Sequence, residues 1–171
     1  ASLTTGIANY IKGERTKEIA VGGAYRDRIN VLGDIINSSP AYVKDSNTVF
    51  IGANDGMLHA FNGTTGAEVF AYIPGIVNIA NLKTLADVAY DHRYLVDGPV
   101  VVSSKKQTPT KNILVGSLGR GGKGLYALNV TDPSTFANNN VLWEVGGADT
   151  HMGNVISSPL ITKVNFNNEM A

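Results

Sequence analysis

A repeat of about 60 residues limits how this chain can fold more than any other feature of its sequence. Three similar phrases, SSPAYV, DGPVVV and SSPLIT, place prolines at positions 40, 99 and 159, which are 59 and 60 residues apart. A repeat of this kind is typical of a supersecondary unit that cannot bury its apolar faces alone and must stack on its neighbours. The sequence therefore predicts an architecture of stacked, similar units.

Each copy of the repeat has the pattern of four short strands. The runs VFIG and LHAFN in the first copy match ILVG and LYALN in the second, and each pair is followed by a turn and an aromatic run, EVFAYI or VLWEV. Residues of the β-branched and aromatic types fill these runs, while Gly, Asn, Asp, Thr and Pro separate them, which favours strands over helices. Four antiparallel strands in a stacking unit are typical of a β-propeller blade.

We therefore predict an all-β fold that forms part of a β-propeller. Propellers close with about 4 to 8 blades, so the missing blades must come from a longer polypeptide or from an oligomer. The chain begins at Ala1 with neither an initiator Met nor a signal peptide, which we interpret as an excised or processed piece. The predicted segments are a lead-in at 1–31, a first blade at 32–75, a helical insertion and loop at 76–96, a second blade at 97–150 and the start of a third blade at 151–171.

Two segments depart from the strand pattern and are predicted to be short helices. Residues 4–12 begin with Thr4, a residue type that caps helix N-termini, and continue with apolar residues at helical spacing. In residues 77–90 apolar side chains recur three residues apart, at Ile79, Leu82, Leu85 and Val88. This second helix is expected between the last strand of the first blade and the first strand of the second.

The composition excludes several classes of function. The chain has 14 acidic and 14 basic residues, so it lacks the basic field that binds a nucleic-acid backbone, and no nucleic-acid partner is predicted. It has no cysteine, which excludes a disulfide framework, thiolate-bound zinc and a cysteine nucleophile. No run approaches the roughly 20 apolar residues that span a bilayer.

The glycine-rich stretch 119–124, GRGGKG, has the spacing of a dinucleotide-binding loop but the wrong context. It is followed by the strand-like run LYALNV, so no helix N-terminus is available to bind a pyrophosphate. We interpret it as a hairpin loop.

Asn54-Asp55-Gly56 is the strongest hairpin-turn signal, because it supplies the positive φ that a tight turn requires. Asp55 lacks the neighbouring carboxylates of a calcium loop.

The three histidines do not suggest a catalytic or metal centre. His59, His92 and His151 lie on separate predicted elements, whereas zinc sites and catalytic triads need such groups to converge with carboxylates. His59 is expected on the surface or between blades. The densest polar cluster, 91–97, is either a binding loop or a set of local hydrogen bonds that fixes the start of the second blade. No catalytic or metal-ligating residue is predicted.

Four phrases in this order resemble the C-terminal propeller of the PilC/PilY type IV pilus adhesins. They are LGDIINSSP at 32–40, GANDGMLHAF at 52–61, HRYLVDG at 92–98 and GGKGLYALNVTDP at 121–133, with KGER at 12–15 leading in. Each phrase alone also occurs in quinoprotein-dehydrogenase-like repeats, but the ordered set is specific to the pilus family. The resemblance extends from about Asn9 to the end of the chain.

The resemblance implies a non-enzymatic protein of Gram-negative bacteria, located outside the cell at the cell surface, the pilus tip or the outer membrane. It implies support of pilus biogenesis by opposing retraction, with roles in twitching motility and adhesion. The implied partners are pilins, minor pilins, a host cell surface and the remaining blades of the parent protein. Calcium is implied only for an aspartate-rich loop of the parent downstream of this chain, so no cofactor is expected within it.

Because propellers bind through loops on their faces, three loops are the candidate interaction sites. Their candidate residues are Asn54, Asp55, Gly56, Asp91, His92, Arg93, Asp97, Arg120 and Lys123. Two alternatives stay open. One is a quinone-dependent dehydrogenase-like propeller, which would need a calcium-bound quinone and an aromatic floor, whereas Trp143 is the only tryptophan. The other is an outer-membrane assembly scaffold with a similar propeller.

Overall fold

The computed structural model describes residues 2–147, 151–166 and 169–170, and two four-stranded antiparallel sheets make up most of it. The first sheet has the order β1-β2-β3-β4 and the second the order β5-β6-β7-β8, so each is a simple meander. The predicted blades of four antiparallel strands are confirmed. The strands are β1 (Ala41–Val43), β2 (Thr48–Gly52), β3 (Leu58–Asn62), β4 (Glu68–Tyr72), β5 (Val100–Val102), β6 (Ile113–Ser117), β7 (Gly124–Asn129) and β8 (Val141–Gly146).

The two sheets share a local irregularity as well as an order. The register between the third and fourth strands shifts between Ala60 and Phe61 in the first sheet, and between Ala127 and Leu128 in the second. These pairs occupy matching positions in LHAFN and LYALN. A bulge bends its strand and increases the local twist. The two sheets are therefore bent at equivalent positions of the sequence repeat.

The sheets stack on each other, and their contact forms the core. The inner strands meet where β1 and β2 lie against β5. At the outer edge, Phe70 of β4 stacks on Phe136, which follows β7, with ring centroids 3.9 Å apart. Glu144 of β8 accepts hydrogen bonds from the Tyr72 hydroxyl at 2.5 Å and the Gly75 amide at 2.7 Å. Burial first, and then the hydrogen bond and charge of Glu144, raise the pKa of Tyr72.

The first predicted helix is confirmed as α1 (Thr5–Ile11), whose N-cap Thr4 accepts a hydrogen bond from the Ile7 amide. The second is shorter than predicted. The helix α2 (Ile79–Lys83) is capped by Asn78 and continues only as a 3₁₀ turn over Thr84–Ala86, so residues 87–90 are not helical. Apolar residues three apart fit the three residues per turn of a 3₁₀ helix better than an α-helix.

Arg28 holds the lead-in segment together. Its guanidinium is buried, lies 2.8 Å from Glu18, and donates to the carbonyls of Tyr10 at 2.6 Å and Glu14 at 2.7 Å. It also lies 3.6 Å from the centroid of the Tyr10 ring, a cation–π contact. Further along, the Arg26 amide and side chain donate to backbone carbonyls of the segment that follows α2. The lead-in is therefore fixed to the first sheet and its helical insertion.

Beyond the second sheet, residues 151–164 contain no strand. The next elements are the two-residue strands β9 (Asn165–Phe166) and β10 (Glu169–Met170), which pair antiparallel with each other. The assignment of 151–171 to a third blade, like the other segment boundaries, stays a prediction, and the end of the predicted second blade, at 148–150, lies outside the described residues. Among the described residues no helix is both long enough and apolar enough to cross a membrane.

Candidate functional site

Four segments meet at one end of the two sheets, and we call this surface the loop face (residues 33–37, 53–57, 90–99 and 118–123). In a meander, the turn between the second and third strands lies at the same end as the chain that enters the first strand. The turns β2–β3 and β6–β7 and the segments before β1 and β5 therefore share this end. All nine predicted interaction residues lie in the loop face.

The β2–β3 turn is a three-residue loop made of Asn54, Asp55 and Gly56. The Gly56 amide donates to the Ala53 carbonyl at 3.2 Å, and the Ala53 amide donates to the Met57 carbonyl at 2.9 Å. Gly56 has φ of +93°, so the predicted hairpin turn is confirmed with its positive φ at the glycine. Asn54 and Asp55 are buried, because other segments of the loop face lie over them.

Asn54 and Asp97 join these segments through buried hydrogen bonds. The Leu95 amide donates to Asn54 Oδ1 at 3.0 Å, and the Asn54 amide donates to the Asp34 carbonyl at 3.0 Å. Asp97, which is only 1% exposed, accepts from the Asn37 amide at 3.2 Å and from Asn37 Nδ2 at 2.6 Å. A buried carboxylate needs such donors to offset the loss of water. The buried side chains of both residues therefore hold the segments of the loop face in place.

Glycines allow the segments of the loop face to approach closely. A Cβ on Gly121 would lie 1.8 Å from the Leu95 carbonyl oxygen, and one on Gly98 would lie 2.0 Å from Ser117 Oγ. The GRGGKG loop forms a 3₁₀ turn over Gly119–Gly121 before β7 begins, as expected of a hairpin loop rather than a dinucleotide site. These contacts pack the β6–β7 loop against the segment before β5.

The exposed part of the loop face carries both charge and aromatic side chains. His92 Nε2 lies 2.9 Å from Asp34 Oδ2, and the His92 and Tyr94 rings meet edge-to-face with centroids 5.0 Å apart. The Arg120 guanidinium lies 5.4 Å from the centroid of the Tyr94 ring. Exposed ion pairs of this kind contribute about 0–1 kcal/mol, so these side chains are available to a partner at little cost. The exposed predicted residues are Asp91, His92, Arg93, Arg120 and Lys123.

A cleft of about 820 Å³ opens beside the loop face. It lies between the lead-in and the β2–β3 turn, and its walls include Arg26, Asp34, Tyr90 and His92. Arg26 stacks on Tyr90, with the guanidinium carbon 4.4 Å from the ring centroid. The cleft therefore presents cationic, acidic and aromatic groups side by side, which are the groups that fix the orientation of a bound partner or ligand.

Sequence reasoning missed two features of this region. Asp34 was not among the predicted interaction residues, although it contacts His92 and Asn54, because these partners lie 58 and 20 residues away in the sequence. His59, expected on the surface or between blades, is buried within the first sheet between Asp55 and Glu68. The spacing of Asp55 and His59 across a three-residue turn is the sequence signal for that contact. The described residues include no group of three or more His, Asp or Glu placed to hold a metal.

Comparison with known protein families matches residues 18–163 to the PilY1 beta-propeller domain. The match covers both sheets, the loop face and the second part of the lead-in, from residue 18. This chain belongs to the PilY1 beta-propeller family. The predicted family and the predicted partial β-propeller are thereby confirmed, and the two sheets are blades of that propeller.

Relatives in two bacteria carry the same region. The type IV pilus biogenesis factor PilY1 homolog of Xylella fastidiosa is 38% identical over 193 residues, covering 95% of this chain and 16% of the relative. The type IV pilus biogenesis factor PilY1 of Pseudomonas aeruginosa strain PAK is 39% identical over 168 residues, covering 80% of this chain and 14% of the relative. The chain thus spans about one sixth of the length of these relatives.

A solved member of the PilY1 family is also similar. The crystal structure of the Pseudomonas aeruginosa PilY1 C-terminal domain is 39% identical, covers 58% of this chain and 18% of that chain, and superposes with a TM-score of 0.39.

Proposed function

We propose that this chain is a propeller module of a type IV pilus biogenesis factor, and that its loop face binds pilus components. The observation that carries the proposal is the loop face itself. Its buried Asn54, Asp97 and glycine contacts hold four segments in one arrangement, while Arg93, Arg120 and Lys123 extend from it into solvent. Exposed charged side chains on a fixed backbone are suited to binding a partner, because little conformational entropy is lost when the complex forms.

The family supports the biological setting of this proposal. Relatives that share 38–39% of the aligned residues are named type IV pilus biogenesis factors. We propose that the module acts outside the cell, at the surface or the pilus, that it opposes pilus retraction, and that it catalyses no reaction. Pilins and minor pilins are the proposed partners, and twitching motility and adhesion are the proposed consequences. Calcium is proposed to act only in the parent protein, downstream of residue 171.

Charge reversal on the loop face tests this function. In the full-length protein we would combine Arg93→Glu, Arg120→Glu and Lys123→Glu and count surface pili, with and without the retraction motor. We expect pili to be lost with the motor active and to return when it is disabled. These three side chains are exposed, so replacing them is expected to leave folding intact.

The opposite end of the second blade provides a matched control. The β5–β6 loop carries three exposed lysines, and reversing them changes the net charge by the same amount. The control residues are Lys105, Lys106 and Lys111. Normal piliation in the control together with loss in the loop-face variant would support the proposal. Normal piliation with reduced attachment to cells in the loop-face variant would assign this surface to adhesion, and equal effects of both variants would contradict a specific role for the loop face.

A further inference from the structure

His59 lies between two carboxylates that approach opposite sides of its ring. Its Nε2 atom is 3.0 Å and 3.1 Å from the two carboxylate oxygens of Asp55, and its Nδ1 atom is 2.6 Å from Glu68 Oε1. A neutral imidazole carries one N–H, whereas an ionised carboxylate only accepts hydrogen bonds. Both contacts are therefore satisfied at once only by the doubly protonated ring. We call this group of His59, Asp55 and Glu68 the His59 clasp.

The clasp connects parts of the chain that are distant in sequence. Asp55 Oδ2 also accepts from the Gly33 amide at 2.7 Å, and Asp55 Oδ1 accepts from the Met57 amide at 3.1 Å. Asp55 thus links the segment before β1, the β2–β3 turn and the His59 ring. Glu68 is the first residue of the outer strand β4, so the protonated ring joins the outer edge of the blade to its loop face.

The two carboxylates differ in exposure, and this difference decides which contact fails first. The Asp55 side chain is 8% exposed and the Glu68 side chain is 48% exposed. Asp55 is buried and cannot be hydrated, so it retains the hydrogen bond from the one N–H of the neutral His59 ring. Glu68 can turn to solvent instead. We propose that proton loss from His59 releases Glu68 and leaves the ring held by Asp55 alone, which makes the outer edge of the first blade a pH-sensitive element.

Among the described residues that line the cavity beside the ring, one further side chain is charged. A neighbouring cavity of about 410 Å³ is lined by His59, Asp55 and Glu68 together with Lys12 from the end of the first helix. The Phe61 ring stacks parallel to the imidazole at 5.7 Å and carries no charge. Lys12 is exposed, so its charge is screened by solvent, and the two carboxylates dominate the field at the ring.

The balance of these effects favours the charged ring. Burial lowers the pKa of His59, but the hydrogen bonds and charges of Asp55 and Glu68 outweigh burial and hold that pKa above its ordinary value. A group with a raised pKa in the folded state stabilises the fold fully below its unfolded value of about 6.5. That contribution is lost as pH rises through the folded value. The clasp is therefore closed below the ordinary histidine pKa and opens as pH rises through the raised pKa of the folded state.

Titration of the ring by ¹⁵N nuclear magnetic resonance tests the clasp directly. In the 171-residue chain we expect His59 to lose its proton above about pH 6.5. Glu68→Gln, which removes the charge but keeps the shape, should lower this midpoint, because one of the two carboxylates that favour the charged ring is lost. Asp45→Asn serves as the matched control, because Asp45 is an exposed carboxylate paired with Lys105, and it should leave the midpoint unchanged.

Urea unfolding at several pH values provides an independent readout. The stability difference between the natural chain and Glu68→Gln should be largest just below the ordinary histidine pKa of about 6.5 and shrink as pH rises through the His59 midpoint. A midpoint at or below the ordinary histidine value, or a stability difference that does not change with pH, would overturn the proposal. This test does not involve pili, so its outcome is separate from that of the loop-face experiment.

Discussion

Gly33 lies against the backbone of the β2–β3 turn with no room for a side chain. A Cβ at this position would be 2.2 Å from the Asp55 amide nitrogen and 2.8 Å from the Asn54 carbonyl carbon. Backbone atoms cannot move aside as the end of a long side chain can, so we expect Gly33→Ala to displace the segment before β1 and destabilise the fold by about 1–3 kcal/mol. Urea unfolding monitored by circular dichroism measures this loss.

Gly153→Ala is the control for that substitution. A Cβ on Gly153 would meet no atom within 4 Å, so this change should leave stability within about 0.5 kcal/mol of the natural chain. A Gly33→Ala protein as stable as the control would show that the segment before β1 does not pack closely on the turn.

At the scale of residues, the sequence identified the turn but not what covers it. Asn54-Asp55-Gly56 is recognisable because local geometry requires glycine at a positive φ. The burial of Asn54 and Asp55 depends on Gly33, Asp34 and Leu95, which approach from separate segments. Contacts between distant segments leave no local pattern in the sequence. The turn residues were therefore expected to be exposed, whereas other segments cover part of the turn.

At the scale of elements, strands were predicted more accurately than helices. Every blade strand coincides with a run of β-branched or aromatic residues bounded by turn residues. The second helix was predicted to extend to residue 90, but Val88 is 59% exposed and lies beyond the 3₁₀ turn. Val88 fits the apolar pattern of one residue in three, but its side chain is not part of the core. Periodicity alone therefore predicted a helix that was too long.

Glu144 is the polar contact that joins the outer edges of the two blades. It accepts from both the Tyr72 hydroxyl and the Gly75 amide. We expect Glu144→Ala to destabilise the chain by about 1–3 kcal/mol, because the partly buried Tyr72 hydroxyl loses its acceptor. Glu144→Gln keeps an acceptor oxygen and should cost less than half as much. Thermal unfolding of both variants distinguishes these outcomes, and equal losses would show that charge rather than hydrogen bonding stabilises the contact.

At the scale of the whole molecule, the repeat predicted two stacked blades, and family membership identifies them as propeller blades. The chain leaves several large apolar side chains exposed, including Ile29 at 96% in the lead-in and Trp143 at 44% on β8. Exposed apolar surface of this kind is typical of interaction sites. The sequence could not show which of these side chains are exposed, because exposure depends on packing between distant segments, which leaves no local pattern.

Calcium provides a test of the proposal that the cofactor belongs to the parent protein and not to this segment. Extracellular calcium modules bind with dissociation constants of about 10⁻⁴ to 10⁻³ M. A site of about 1 mM affinity at about 5 mM calcium would stabilise the chain by about 1 kcal/mol. For a chain of this length that corresponds to a rise in Tm of about 2–4 °C. We expect Tm to be the same in calcium, in magnesium and in chelator, as measured by differential scanning calorimetry. A rise seen with calcium but not with magnesium would contradict this expectation and place a calcium site within the two blades.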